Sequence, residues 1–257
     1  MGVVETRIEN RVATVTLNRP ERHNAFDENV VAELTEAIGV VEADARVRLL
    51  VLAAAGKSFS AGADLDWMRR MASYGEAENL ADAKRLATLL QTLNFMAKPT
   101  IALVQGAALG GGVGLVAACD MAIARPEAVF GLTEVRLGLI PAVISPYVAQ
   151  AIGERASRRY FLTGERFDAN TALALGLVTE IAEDLPATVA RFAEMLLAGG
   201  PEAQGATKKL IRRVGRGTIN AAMIDDTAER IARSRSGPEA REGIAAFFEK
   251  RKPSWQA

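Results

Sequence analysis

The period of the apolar positions changes along the chain. Val12 to Leu17 alternates and is rich in β-branched residues, which predicts a half-buried strand. Asn18-Arg19-Pro20 breaks it. Asp27 then caps a predicted helix running to about Glu42, with Val30, Val31, Leu34 and Ile38 on one face. Val47 to Ala53 is a short apolar run of the buried-strand type, followed by a loop from Ala54 to Ala63 that carries Gly56 and Gly62. Helices are predicted from Asp64 through Met71 and from Glu78 to Ala97, the second stopped by Pro99. Thr100 to Gln105 and Cys119 to Ala124 read as two further buried strands. Between them, Gly106 to Ala118 reads as a glycine-rich loop and a short apolar helix, Val113 to Ala118. Helices dominate the rest, including Pro201–Val214, Ile219–Arg233 and Pro238–Lys250, with one short strand near Leu177 to Ile181. Alternating strands and helices followed by helices alone predict an α/β fold with a helical C-terminal region. The glycine pair in Ala198-Gly199-Gly200-Pro201 separates the two parts, residues 1–197 and 198–257.

Composition narrows the function classes. A chain of 257 residues, 49% hydrophobic and 24% charged, has enough material for one substantial core. Its 31 Lys and Arg balance 31 Asp and Glu, so no basic excess marks a nucleic-acid partner. One cysteine, Cys119, excludes an internal disulfide and a cysteine-rich metal site. With His23 as the sole histidine, a multi-histidine zinc site is not expected either. The N-terminal MGVVETRIEN has neither an apolar signal core nor an arginine-rich leader. The apolar stretch from Pro99 to Ala124 is interrupted by glycines, Gln105 and Asp120, and does not read as a membrane span. Together these features predict a soluble, cytoplasmic protein.

Two glycine loops carry the candidate chemistry. Gly56-Lys57-Ser58 follows a strand, but a phosphate loop needs glycine at position 51, where Val51 stands. Gly110-Gly111-Gly112-Val113-Gly114 opens a helix after a strand, yet the third glycine of a dinucleotide fingerprint would fall on Leu115. What the second loop can offer is anion binding. Helix starts carry unpaired N–H groups and partial positive charge, and glycine lets the backbone approach a ligand. Such donors suit an oxygen that gains negative charge during a reaction. Tight helix–strand packing alone explains the glycines equally well.

The motifs taken together resemble the crotonase (enoyl-CoA hydratase/isomerase) family. Lys57 to Leu65 is similar to its first signature, and Pro99 to Gly106 with Leu109-Gly110-Gly111-Gly112 and Cys119-Asp120 to its second. Phe130 to Pro141 resembles the third, Leu162 to Phe167 and Ala172 to Val178 a later segment, and Phe247 to Pro253 the C-terminal ending. The likeness spans essentially the whole chain in order. It implies a spiral of ββα units, a C-terminal helical trimerisation region, trimers or dimers of trimers, and an acyl-CoA thioester substrate. No metal or redox cofactor is implied, CoA being part of the substrate. Backbone N–H groups of Ala63 and Gly111 would form an oxyanion hole, both at helix starts. CoA would lie along Arg22 to Phe26 and Ala61 to Leu65. That names Arg22, Ala25, Ala61, Asp64 and Leu65 as contacts, with Phe247 and Lys250 reaching from a neighbouring subunit. Arg22 reads equally as a solvated surface arginine, His23 as a surface residue, and Cys119 as a small filler of a buried strand.

One departure bears on the reaction. Typical hydratases of the family use two glutamates. Glu134 matches the second, but the first would fall at Gly114. A single carboxylate can still act as base and then acid, contributing roughly 10²–10⁴-fold. Apolar neighbours on both sides of Glu134 predict partial burial and a raised pKa. Gly114 is compatible with an isomerase, or with a hydratase needing room for a β-branched substrate. Asp64 to Met68, Gly110 to Val116 and Thr133 to Val148 look like the bacterial 3-methylglutaconyl-CoA hydratase and isohexenylglutaconyl-CoA hydratase branch. That resemblance implies hydration in leucine catabolism, with a general short-chain enoyl-CoA hydratase as the alternative. A second substrate carboxylate would need a cation, for which Arg69, Arg70 and Arg136 are candidates, or hydroxyls such as Ser145 and Tyr147. A non-catalytic scaffold or RNA binder fits poorly with zero net charge.

Overall fold

In the computed structural model, which describes residues 2–215 and 217–256, the chain opens with an antiparallel hairpin. Its strands are β1 (Val4–Glu9) and β2 (Val12–Leu17), joined through Asn10 and Arg11, both at positive φ. Two left-handed residues in succession are what a tight hairpin turn demands. β1 is almost wholly exposed, and its alternating charges leave no apolar period to read. Helix α1 (Glu28–Ala43) follows, capped as expected by Asp27, whose carboxylate accepts from the N–H groups of Asn29 and Val30.

The remaining elements in order are β3 (Leu49–Ala54), α2 (Leu65–Met71), α3 (Glu76–Phe95), β4 (Thr100–Val104), β5 (Ala107–Leu109), α4 (Gly111–Ala118), β6 (Met121–Ala124) and β7 (Val129–Gly131). After them come α5 (Ser145–Thr163), β8 (Arg166–Asp168), α6 (Ala169–Ala174), β9 (Glu180–Ile181) and four helices: α7 (Leu185–Ala198), α8 (Pro201–Val214), α9 (Ala221–Ser236) and α10 (Pro238–Phe248). Helix α5 kinks at Gly153, which sits at positive φ.

Six strands form one sheet in the order β1-β2-β3-β4-β6-β9, parallel beyond the first pair, and β5-β7-β8 form a second. Both faces of the large sheet are covered, so its inner strands are apolar throughout rather than alternating. In β3, Leu50 and Leu52 join the main core with Leu34 and Ile38 of α1 and Leu90 and Leu93 of α3. Leu49 and Val51 face the other way, with Ile101, Ile123 and Leu185 and Ala193 of α7.

Helix α8 docks on the end of this body through buried charge. Lys208 Nζ donates to Asp120 Oδ2 at 2.6 Å and to the Lys98 carbonyl at 2.9 Å. The same Asp120 oxygen accepts from the Thr100 N–H and hydroxyl. Cys119 forms the C-cap of α4 instead of entering the strand as expected, because its N–H closes the last turn on Leu115 and Val116. Burial pushes its thiol up to about 12, which keeps it an inert filler. No helix among the described residues is long and apolar enough to cross a membrane.

Candidate active site

Three loops at the ends of β3, β5 and β7 meet around Ala63, Gly111 and Glu134. The first is held as an extra strand. Phe26 bridges Ala63 in parallel: its N–H donates to Gly62 O and its carbonyl accepts from Asp64 N, each at 2.7 Å. Ser60 pairs with Ala108 of β5 in the same manner. The amide of Gln105 donates to the carbonyls of Ala54, Gly56 and Ser58, fixing the rest of the loop. A Cβ on Gly106 would overlap the Lys57 carbonyl, so only glycine allows the loop to lie so close to β4 and β5.

The second loop turns at Gly110, whose φ is +51°, and enters α4. Its N–H donates to Gly131 O at 2.9 Å, tying it to β7. Gly111 is the first residue of α4, and Ala63 lies one residue before the Asp64 cap of α2. The expectation that both donors sit at helix starts is therefore correct for Gly111 and one position early for Ala63. Neither N–H has an acceptor among the described residues. Ala63 is exposed and Gly111 half-buried, so both remain open to a ligand.

Glu134 begins a short 3₁₀ turn, Glu134–Leu137, directly after β7. Its Oε1 lies 3.0 Å from where a Gly110 Cβ would stand. Oε2 is buried without a hydrogen-bond partner among the described residues. Burial raises the carboxyl above its ordinary pKa of 4.5 and outweighs a backbone hydrogen bond acting in the opposite direction. A desolvated carboxylate with one oxygen unpartnered, near two free N–H groups, has the composition of a proton-transfer site.

Gly114 does not open space, contrary to expectation. A Cβ there would stand 2.9 Å from Ile144 Cβ and closer still to its Cγ2. Ile144 is 3% exposed and belongs to the main core. The space into which a side chain at position 114 would start is thus taken by an aliphatic side chain from the turn before α5. Ile144 is far from Gly114 in sequence, and nothing in the local pattern announces the contact.

The expected CoA contacts divide. Ala61 and Leu65 are exposed beside Ala63, and Leu65 is 68% exposed. Arg22 is exposed at the same edge and pairs with Asp66 at 3.6 Å. Asp64 is corrected: its carboxylate is buried, caps α2 through Asp66 and Trp67, and faces Arg19 at 3.4 Å, so its side chain is structural. Ala25 is also buried, and its carbonyl accepts from Arg19. His23 is exposed, as expected, 3.1 Å from Ser58 Oγ. Phe247 and Lys250 lie exposed at the end of α10, which packs on α9.

The candidate partners of a second carboxylate are mostly engaged elsewhere. Arg69 pairs with Asp66 and Arg70 with Glu28, both at 2.7 Å, while Arg136 lies against Gly164. Ser145 donates to Ala142 O, and Tyr147 lines a separate cavity of about 230 Å³ with Val116, Cys119 and Thr179. Sequence reasoning missed Arg19 and Ile144, and placed Asn24 and Phe26 only within a stretch along CoA, without their structural roles. All four act through packing or backbone contacts and carry no motif of their own.

Comparison with known proteins identifies the family and the fold. Residues 7–257 match the enoyl-CoA hydratase/isomerase family, and the chain belongs to it. A crystal structure of an enoyl-CoA hydratase from Shewanella pealeana superposes with a TM-score of 0.97 at 47% identity, covering 98% of this chain and 96% of that one. An enoyl-CoA hydratase/isomerase structure from Marinobacter aquaeolei gives a TM-score of 0.92 at 36% identity, covering 99% of both chains. The short-chain-enoyl-CoA hydratase of Clostridium acetobutylicum is 32% identical over 252 residues, 95% of this chain and 94% of that one. The fold is the crotonase fold.

Proposed function

We propose that this chain adds water to an α,β-unsaturated acyl-CoA thioester, with the N–H groups of Ala63 and Gly111 holding the thioester oxygen and Glu134 moving the proton. The supporting observation is the convergence of two acceptor-free N–H groups and one half-buried carboxylate whose Oε2 has no partner among the described residues. As water oxygen bonds to Cβ, the C=C electrons shift toward the carbonyl and charge gathers on the thioester oxygen. Two fixed donors stabilise that charge, each by roughly 3–4 kcal/mol. Ionised Glu134 takes one proton from water and returns it to Cα as the enolate collapses. Every atom of water ends in the product and no electron leaves the system.

For the acyl group we propose a β-branched glutaconyl type such as 3-methylglutaconyl-CoA, supported by the motif resemblance of residues 64–68, 110–116 and 133–148. A second reading, a short uncharged enoyl group, is favoured by the ion pairs of Arg69 and Arg70 and by Ile144 against Gly114. Loss of enoyl absorbance with crotonyl-CoA and with 3-methylglutaconyl-CoA separates them. Turnover of crotonyl-CoA alone would overturn the branched assignment, and turnover of neither would overturn hydration of short enoyl thioesters. We also propose that the enzyme works in the cytoplasm as a trimer or dimer of trimers. The exposed Ile224, Ile231, Ile244, Phe247 and Phe248 of α9 and α10 support an interface, and sedimentation equilibrium tests it.

A further inference from the structure

One residue touches both halves of the candidate oxyanion hole. The backbone of Phe26 holds Gly62 and Asp64, on either side of Ala63, through two hydrogen bonds of 2.7 Å. Its ring lies over Gly111: a Cβ there would stand 2.5 Å from Phe26 Cε2 and 2.8 Å from Cδ2. Phe26 is 1% exposed and belongs to the main core, so the ring has no freedom to swing away.

The backbone of Phe26 is itself clamped. Arg19 donates to the Ala25 carbonyl at 3.1 Å and to Asp27 Oδ2 at 2.7 Å, and reaches Asp64 Oδ2 at 3.4 Å. It thereby ties the residues before and after Phe26 to the cap of α2. Asn24 accepts from Arg19 N and donates to the Ala55 and Ser58 carbonyls, anchoring the same segment to the first glycine loop.

We infer that Phe26 is a positioning residue that sets the separation and alignment of the Ala63 and Gly111 N–H groups, its backbone fixing one and its ring fixing the other. The inference rests on reading those two groups as the thioester-oxygen site. Two donors act together only when both meet the same oxygen, and a displacement of about 1 Å can cost on the order of 10²-fold in rate. The glycine at 111 follows from the same contact, since any side chain there would displace the ring.

The test uses the full-length enzyme with butyryl-CoA and 3-methylbutanoyl-CoA, each ¹³C-labelled at the thioester carbonyl. Neither has a double bond to hydrate. Difference infrared spectra report the carbonyl stretch, and crotonyl-CoA and 3-methylglutaconyl-CoA report turnover. In the unaltered enzyme the stretch should move to lower frequency on binding. Phe26→Leu should reduce that displacement and lower kcat by about tenfold or more, with KM changing less than about threefold. Phe167→Leu, a similar truncation in the buried part of β8, should lose stability without altering the displacement. Phe26→Met provides a second variant if Phe26→Leu does not fold. An unaltered enzyme that leaves the stretch unmoved overturns the oxyanion reading itself. A normal displacement in the unaltered enzyme that persists in folded Phe26 variants with unchanged kcat overturns the role of Phe26 alone.

Discussion

The two walls of the candidate site are built by different means. On the wall of Ala63 and Gly111, the working groups are backbone N–H donors, and side chains such as Phe26 and Arg19 only fix where the backbone runs. On the wall of Glu134, the working group is a side chain, and Gly114, where the family pattern expects a second carboxylate, meets aliphatic Ile144 instead. The first wall resists most mutations, because only a change to proline deletes a peptide N–H. The second is open to single changes, and its chemistry depends on one carboxylate. The largest effects are therefore expected at Glu134.

Glu134→Gln should lower kcat by roughly 10²–10⁴-fold while CoA binding persists, measured by enoyl absorbance and by calorimetry with a saturated thioester. Full activity in that variant would remove Glu134 from the mechanism and make both walls backbone-driven. Gly114→Glu comes next. It must force its side chain against Ile144 and bury a charge, so several kcal/mol of stability should be lost. Combining it with Ile144→Ala should recover much of that loss in denaturant unfolding. A single variant as stable as the parent would show that Ile144 does not fill the space beside residue 114.

The pH dependence sharpens the same contrast. Glu134 must be ionised to take a proton, and burial raises its pKa above 4.5. kcat/KM should therefore fall as the pH drops through that raised value, with a limb higher than an ordinary glutamate would give. The stability effect has the opposite sign. A carboxyl with a raised folded pKa contributes stability that is full below its unfolded pKa and is lost as the pH rises through the folded one. Thermal unfolding at neutral pH should show Glu134→Gln at least as stable as the parent, whereas a carboxylate that held structure together would give a less stable variant. The smallest effect is expected at Arg22→Ala. Its exposed 3.6 Å pair with Asp66 contributes less than about 1 kcal/mol to stability. A severalfold rise in KM for the thioester with unchanged kcat would identify Arg22 as a CoA contact, and an unchanged KM would return it to the solvated surface.

Much of this molecule was legible because its signals are local. Asp27 and Asp64 each stand at the start of a helix, where a short carboxylate reaches the free N–H groups of the first turn. The apolar runs at β3, β4 and β6 declared a sheet covered on both faces. The second sheet, β5, β7 and β8, was not legible, because strands of three residues are too short to show a period. β1 escaped for a related reason: an exposed edge strand has no buried face to mark it.

At the site, the sequence by itself determined the glycines, the single carboxylate and the family pattern that links them. Those are statements about residue type, and residue type limits backbone freedom and proton chemistry wherever the chain goes. Only the tertiary structure decided that Asp64 is buried against Arg19, that Ile144 fills the place beside Gly114, and that Phe26 spans the two donors. Each of these depends on which surfaces meet across 30 or more residues of chain, between Phe26 and Gly111 or between Gly114 and Ile144. Close packing makes such contacts specific, yet it leaves no periodic trace in the segments that supply them.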